Sequence, residues 1–125
     1  MAVNTVNKDL EVYKKDSKDY VITVKDGDGV AVDITGYTFY MTCKVGSEIT
    51  DPDTGAAFKK TVTTHTTPLS GITTISVSSS DNDLDVTTST TKYVYDIRMK
   101  DTSGKVTTFM NGNYKVLQPV TLTVS

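Results

Sequence analysis

The sequence predicts an all-β fold, an antiparallel sandwich or barrel, on three observations. Runs of period-two hydrophobicity recur along the chain with turn signals between them. Thr and Val occur 23 and 16 times against 4 Ala and 5 Leu, so stiff β-branched side chains dominate and helix is disfavoured almost everywhere. The length of 125 residues, with 37% hydrophobic and 22% charged residues, suits one domain with a single core and lacks the imbalance of a disordered chain.

Taken in order, residues 1–8 have little to bury and are expected to form a flexible N-terminal arm, leaving 9–125 as a single domain. Short strands are expected near 9–13, 20–25, 30–34, 37–45, 57–63, 72–78, 92–100, 105–110, 114–118 and 120–124. The strongest is 37–45, where Tyr37, Phe39, Met41, Cys43 and Val45 share one face and Thr38, Tyr40, Thr42 and Lys44 the other. Next is 92–100, with Tyr93, Tyr95, Ile97 and Met99 inward and Lys92, Asp96, Arg98 and Lys100 outward; Val94 interrupts that outward polarity. Residues 47–55 read as an exposed loop, and the polar stretch 78–91 has room for one helical turn capped by Ser80 or Asp81.

Register follows from the need to keep apolar sets on one face. A four-residue loop at Asp101–Gly104 sets Met99 against Val106, Ile97 against Thr108 and Tyr95 against Met110. That register turns Phe109 outward, opposite Asp96 and diagonal to Val94. Around Asp26–Gly29 an odd loop or bulge pairs Val24 with Val32 and Ile22 with Ile34. At Asn111–Asn113 a three-residue loop pairs Met110 with Tyr114 and Thr108 with Val116.

The chemistry in the sequence is sparse. A net charge of -2 offers no general attraction to nucleic acid, and no apolar run has the roughly 18 to 20 residues needed to cross a bilayer. Met1–Leu10 lacks the layout of a secretory signal. The lone Cys43 forms no internal disulfide, and Cys43 with the lone His65 reads as a core thiol and a strand-end histidine rather than as nucleophile and base; no catalytic residue is expected. Asp81, Asp83 and Asp85 have calcium-loop spacing, but Val86 stands where Gly is wanted and Lys92 where Glu is wanted. Asp26 with Asp28, and Asp51 with Asp53, read as turn formers. Neither a metal nor another cofactor is expected. Tyr13, Tyr40 and Phe109 are the outward aromatics, too scattered for a sugar platform and better suited to a protein interface, for which Tyr40, Val94 and Phe109 are the candidate residues.

The order of motifs adds a likeness. Tyr20–Gly36, Tyr93–Ile97, Asn111–Tyr114 and Val116–Thr121 together resemble the immunoglobulin-like domains of tailed-bacteriophage structural proteins, most of all the N-terminal domain of the baseplate upper protein family. Asp26, Gly29, Asp33, Ile34, Thr35 and Gly36 match its first turn and the step after it. Tyr93, Tyr95, Asp96 and Ile97 match its Y-x-Y-D-I strand, and Gly112, Tyr114, Val116, Val120 and Thr121 match its ending. The resemblance implies an immunoglobulin-like antiparallel β-sandwich with Tyr20, Ile22, Val24, Phe39, Met41, Cys43, Ile75, Val77, Tyr95, Ile97, Val116 and Leu122 in its core. It further implies a non-enzymatic virion protein, made in the bacterial host cytoplasm, whose partners are other virion proteins and copies of itself. Its place is a baseplate or tail component, or alternatively a capsid decoration or head-fibre base. A carbohydrate-binding adhesion module is the other reading, which makes a glycan the alternative partner. Nucleic acid and membrane are not expected partners.

Overall fold

The computed structural model describes residues 5–85 and 93–122. Strand formation follows the alternation in the sequence. Thr38–Val45 (β4) buries Phe39, Met41 and Cys43, and Tyr93–Lys100 (β7) buries Tyr93, Tyr95, Ile97 and Met99. These strands pair antiparallel at the centre of the larger sheet, with Met41 opposite Ile97 and Cys43 opposite Tyr95. Burial of a side chain such as Phe39 or Ile97 contributes about 1.5–3 kcal/mol. Phe58–Val62 (β5) pairs with β4 on one side, and Val106–Leu117 (β8) with β7 on the other.

Val6–Asn7 (β1) and Leu10–Tyr13 (β2) then pair one after the other with β8, both parallel to it, which completes a six-stranded sheet. Residues from Val6 onward, expected in the arm, are therefore strand-paired. The sheet is mixed and not purely antiparallel, because strands so far apart in sequence need no hairpin between them and are free to run the same way.

Lys18–Thr23 (β3) and Ile72–Val77 (β6) form a second, two-stranded antiparallel sheet with Tyr20 opposite Ile75. Its inner side chains, Tyr20, Ile22, Ile75 and Val77, join those of the larger sheet in one core. Among the described residues, helix is limited to three single 3-10 turns, at Gly46–Glu48, Asp53–Gly55 and Pro68–Ser70. The first two lie in the expected loop. Residues 78–83 form turns, in which Ser78 Oγ accepts the Asp81 N–H while the Ser78 N–H donates to the Asp81 carboxylate. Ser78, not Ser80 or Asp81, therefore takes the capping position.

Eleven of the twelve expected core residues are buried, and Leu122 is not, being 69% exposed. The expected strand at 120–124 fails, as far as it lies within the described residues, because β8 ends at Leu117 and Pro119 has no N–H to extend the ladder. Val120 beside it is 99% exposed. Nor does Asn111–Asn113 turn. The whole of 106–117 is one strand, held on one side by β7 and on the other by β1 and β2. Gly112 is needed there for clearance and not for a hairpin, since a Cβ would lie 2.2 Å from the Lys8 carbonyl oxygen.

At Asp26–Gly29 the odd loop is present. Lys25 bridges Ala31, and the Val32 N–H donates to the Val24 carbonyl at 3.0 Å. The pairing stops there and 30–34 forms no strand, because the Ile34 N–H donates to the Pro68 carbonyl and Ile22 lies opposite Thr73. Where these segments converge, Gly71 has φ +73° and no room for a side chain, as a Cβ would sit 2.6 Å from the Val24 oxygen and 2.8 Å from that of Val32.

Candidate functional site

The outer face of the larger sheet is a broad trough of about 1010 Å³. Pairing across the strands sets its floor in rows. Lys59, Thr42, Asp96 and Asn111 line up across β5, β4, β7 and β8. Tyr40, Arg98 and Thr108 form the neighbouring row, and Lys44, Val94 and Asn113 the row on the other side. Each is the polar-parity half of a strand whose other half is in the core.

One wall of the trough is the 46–55 loop, pinned to the sheet by two lysines. Lys44 Nζ lies 2.9 Å from Asp53 Oδ1 and donates to the Asp51 carbonyl at 2.7 Å, while Lys59 Nζ lies 2.8 Å from Asp53 Oδ2 and 5.8 Å from the centre of the Tyr40 ring. Hydrogen bonds from Lys59 and then Lys44 hold the Asp53 carboxyl down to about 2. A carboxylate depressed in the folded state stabilises it above the ordinary carboxylate range and loses that contribution as pH falls through the depressed value. Because Asp53 is half-exposed, the clamp is worth no more than about 1 kcal/mol. The Asp53 carboxyl carbon should accordingly titrate in NMR with a midpoint of about 2, and the double variant Lys44→Met/Lys59→Met should return it to the ordinary range. An ordinary midpoint in the unmodified protein would show that the clamp does not form.

Asp96 is the opposite case. It sits half-buried in mid-floor without an ion pair or side-chain hydrogen bond to any described residue, and desolvation raises its pKa against the lowering influence of Arg98. Arg98 is exposed and likewise unpaired. The floor thus presents acceptors and donors whose capacity the fold does not use.

Of the expected interface residues, Tyr40 and Val94 are half-buried and line this trough. Phe109 does not; it is 4% exposed and belongs to the core. The hairpin loop is Asp101–Lys105, one residue longer than expected, because the Asp101 carboxylate accepts the N–H groups of Ser103 and Lys105 and so closes a wider turn. A bulge follows, with Arg98 opposite Thr108 and Ile97 opposite Met110, so that Phe109 has no partner across the ladder. The expected outward pair of Val94 and Phe109 does not exist.

A second surface escaped the sequence reading. The outer face of the β3–β6 sheet carries Val21, 66% exposed, diagonal to Ile72. Among the described residues no third strand joins this sheet. The available signal was Val21 standing in polar parity between Asp19 and Thr23.

Cys43 is fully buried, and desolvation pushes its thiol up to about 12, which removes the thiolate needed for nucleophilic attack. Both His65 ring nitrogens are engaged, Nε2 donating to the Tyr37 carbonyl at 2.7 Å and Nδ1 meeting Thr73 Oγ1 at 2.9 Å. Of the calcium-spaced aspartates, Asp81 pairs with Lys60 and Asp83 with Lys14. Asp26 accepts the N–H groups of Asp28 and Val30, as a turn former does. No protein-family model matches the sequence, and no curated protein is significantly similar to it.

Proposed function

We propose that this protein is a non-enzymatic structural component of a tailed-phage virion, built as an immunoglobulin-like sandwich and acting through protein interfaces. The strand order supports the sandwich type: β8-β7-β4-β5 against β3-β6 corresponds to strands G, F, C and C′ facing B and E. The residues that carry the phage resemblance have scaffold duties, Asp33 closing its turn on the Thr35 N–H and Tyr95, Ile97, Tyr114 and Val116 filling the core.

The observation that carries the interface reading is the two-stranded β3–β6 sheet, with no third strand among the described residues and with exposed Val21 on its outer face. An uncovered strand edge offers unpaired N–H and C=O groups to a neighbouring chain, and the apolar face beside it adds burial. Mass spectrometry of purified particles from a lysogen carrying this gene should find the chain at stoichiometric copy number. Particle microscopy would then separate a tail or baseplate position from a capsid decoration. Val21→Lys should reduce incorporation at least tenfold while leaving the melting transition of the isolated domain in place. Particles that lack the chain would overturn the virion assignment, and full incorporation of Val21→Lys would overturn this choice of contact surface.

A further inference from the structure

The trough poses a question that the β3–β6 surface does not answer, namely what occupies a sheet face lined by polar side chains with spare hydrogen-bonding capacity. With Phe109 in the core, the apolar residues that line this face do not form one central cluster. Val94 and Val106 stand at opposite ends of the ladder with the Asp96 and Arg98 rows between them, and Ile49 lies on the loop wall, so the face offers no single anchor patch of the kind on which protein interfaces depend. A polyanion such as nucleic acid is a poor match, because the half-buried Asp96 carboxylate lies in mid-floor and Lys44 and Lys59 are already committed to Asp53. What remains is one partly exposed ring, Tyr40, among the planar donors and acceptors of Asp96, Arg98, Asn111 and Asn113 and the hydroxyl of Thr42.

We propose that the outer face of the larger sheet binds a neutral oligosaccharide laid across the strands. Asp96, Arg98, Asn111, Asn113 and Thr42 exchange hydrogen bonds with its hydroxyls, and Tyr40 packs against a sugar ring. The spacing fits. The Lys59-to-Asn111 row crosses four strands, so at ~4.8 Å per step it spans about 14 Å. One step is comparable to the length of one pyranose unit, so successive sugars meet successive strands. Sugar hydroxyls also suit Asp96, since they donate to a carboxylate without requiring a buried counter-charge, and its desolvation makes such donors more valuable. This inference is independent of the virion assignment, since a glycan-binding face is compatible with any location.

The test is an amide-shift titration of the full chain with maltohexaose, cellohexaose, mannohexaose and chitohexaose, and with hexagalacturonate as the acidic comparator. At least one neutral probe should shift the amides of Thr42, Asp96, Arg98, Asn111 and Asn113 with a Kd of about 1 mM or tighter. Asp96→Ala should weaken that binding at least tenfold with the fold retained, and Asn111→Ser, a milder change, should weaken it as well. Val21→Lys, outside the trough, should bind as the unmodified protein does. The proposal is overturned if no neutral probe moves these amides, if the shifts fall elsewhere, if only hexagalacturonate binds, or if both trough variants bind normally.

Discussion

Phe109→Ala is expected to destabilise the isolated domain by about 3–5 kcal/mol, the range for truncating a buried aromatic side chain. Val94→Ala, on the solvent side of the neighbouring strand, should cost far less, about 0.5 kcal/mol. The contrast arises from the length of one loop. Had Asp101–Gly104 closed as a four-residue loop, with Lys100 opposite Lys105, Phe109 would lie opposite Asp96 on the same outer face as Val94, and both variants would be mild. Urea unfolding measures the difference as a drop in midpoint at constant slope. A Phe109→Ala protein within about 0.5 kcal/mol of the unmodified domain would mean that the side chain faces solvent and the hairpin closes with the shorter, four-residue loop.

Tyr114→Phe should have the next largest effect, although it removes one oxygen and leaves the ring. Tyr114 is fully buried, edge-on to Tyr20, Phe58 and Tyr95. Its hydroxyl accepts from Tyr20 at 3.0 Å and donates to Asn82 Oδ1 at 2.7 Å, while Asn82 Nδ2 donates to the Asp16 carbonyl at 2.7 Å. This chain of bonds ties the larger sheet to β3 and to the loops around Asp16 and Asn82. Deleting the hydroxyl leaves two buried partners unsatisfied, at a combined cost of about 2–4 kcal/mol. Adding Tyr20→Phe to that variant should cost little more, because its hydroxyl has already lost its acceptor; strictly additive losses in the double-mutant cycle would contradict the coupling. The same variant should speed amide exchange at Asn82 ahead of the rest of the core.

How much of this was legible in the sequence differs from element to element. The inward sets of β4 and β7 were readable because a period of two assigns faces without knowledge of the partner strand. The odd loop at Asp26–Gly29 was readable because only odd parity brings Val24 and Val32 together. Asn111–Asn113 misled because Asn-Gly-Asn is strong turn chemistry, and pairing on both sides of β8 overrides a local preference worth about 1 kcal/mol. Asp96, Arg98, Asn111 and Asn113 were visible as polar-parity residues, but their meeting in one trough depends on which strands are neighbours.

The sequence by itself determined that the protein is all-β, that Cys43 is a core residue, and that eleven of its proposed core positions are buried. These depend on alternation and turn chemistry, which act over a few residues. Tertiary structure alone decided the parallel docking of β1 and β2 on β8, the five-residue loop that leaves Phe109 inward, the pairing of β3 with β6 in a second sheet and the rows of the trough. The physical reason is that hydrogen-bond pairing between strands is set by contacts such as Leu10 with Tyr114, far apart in the chain, and a shift of one residue moves a side chain between core and solvent at no cost in local propensity.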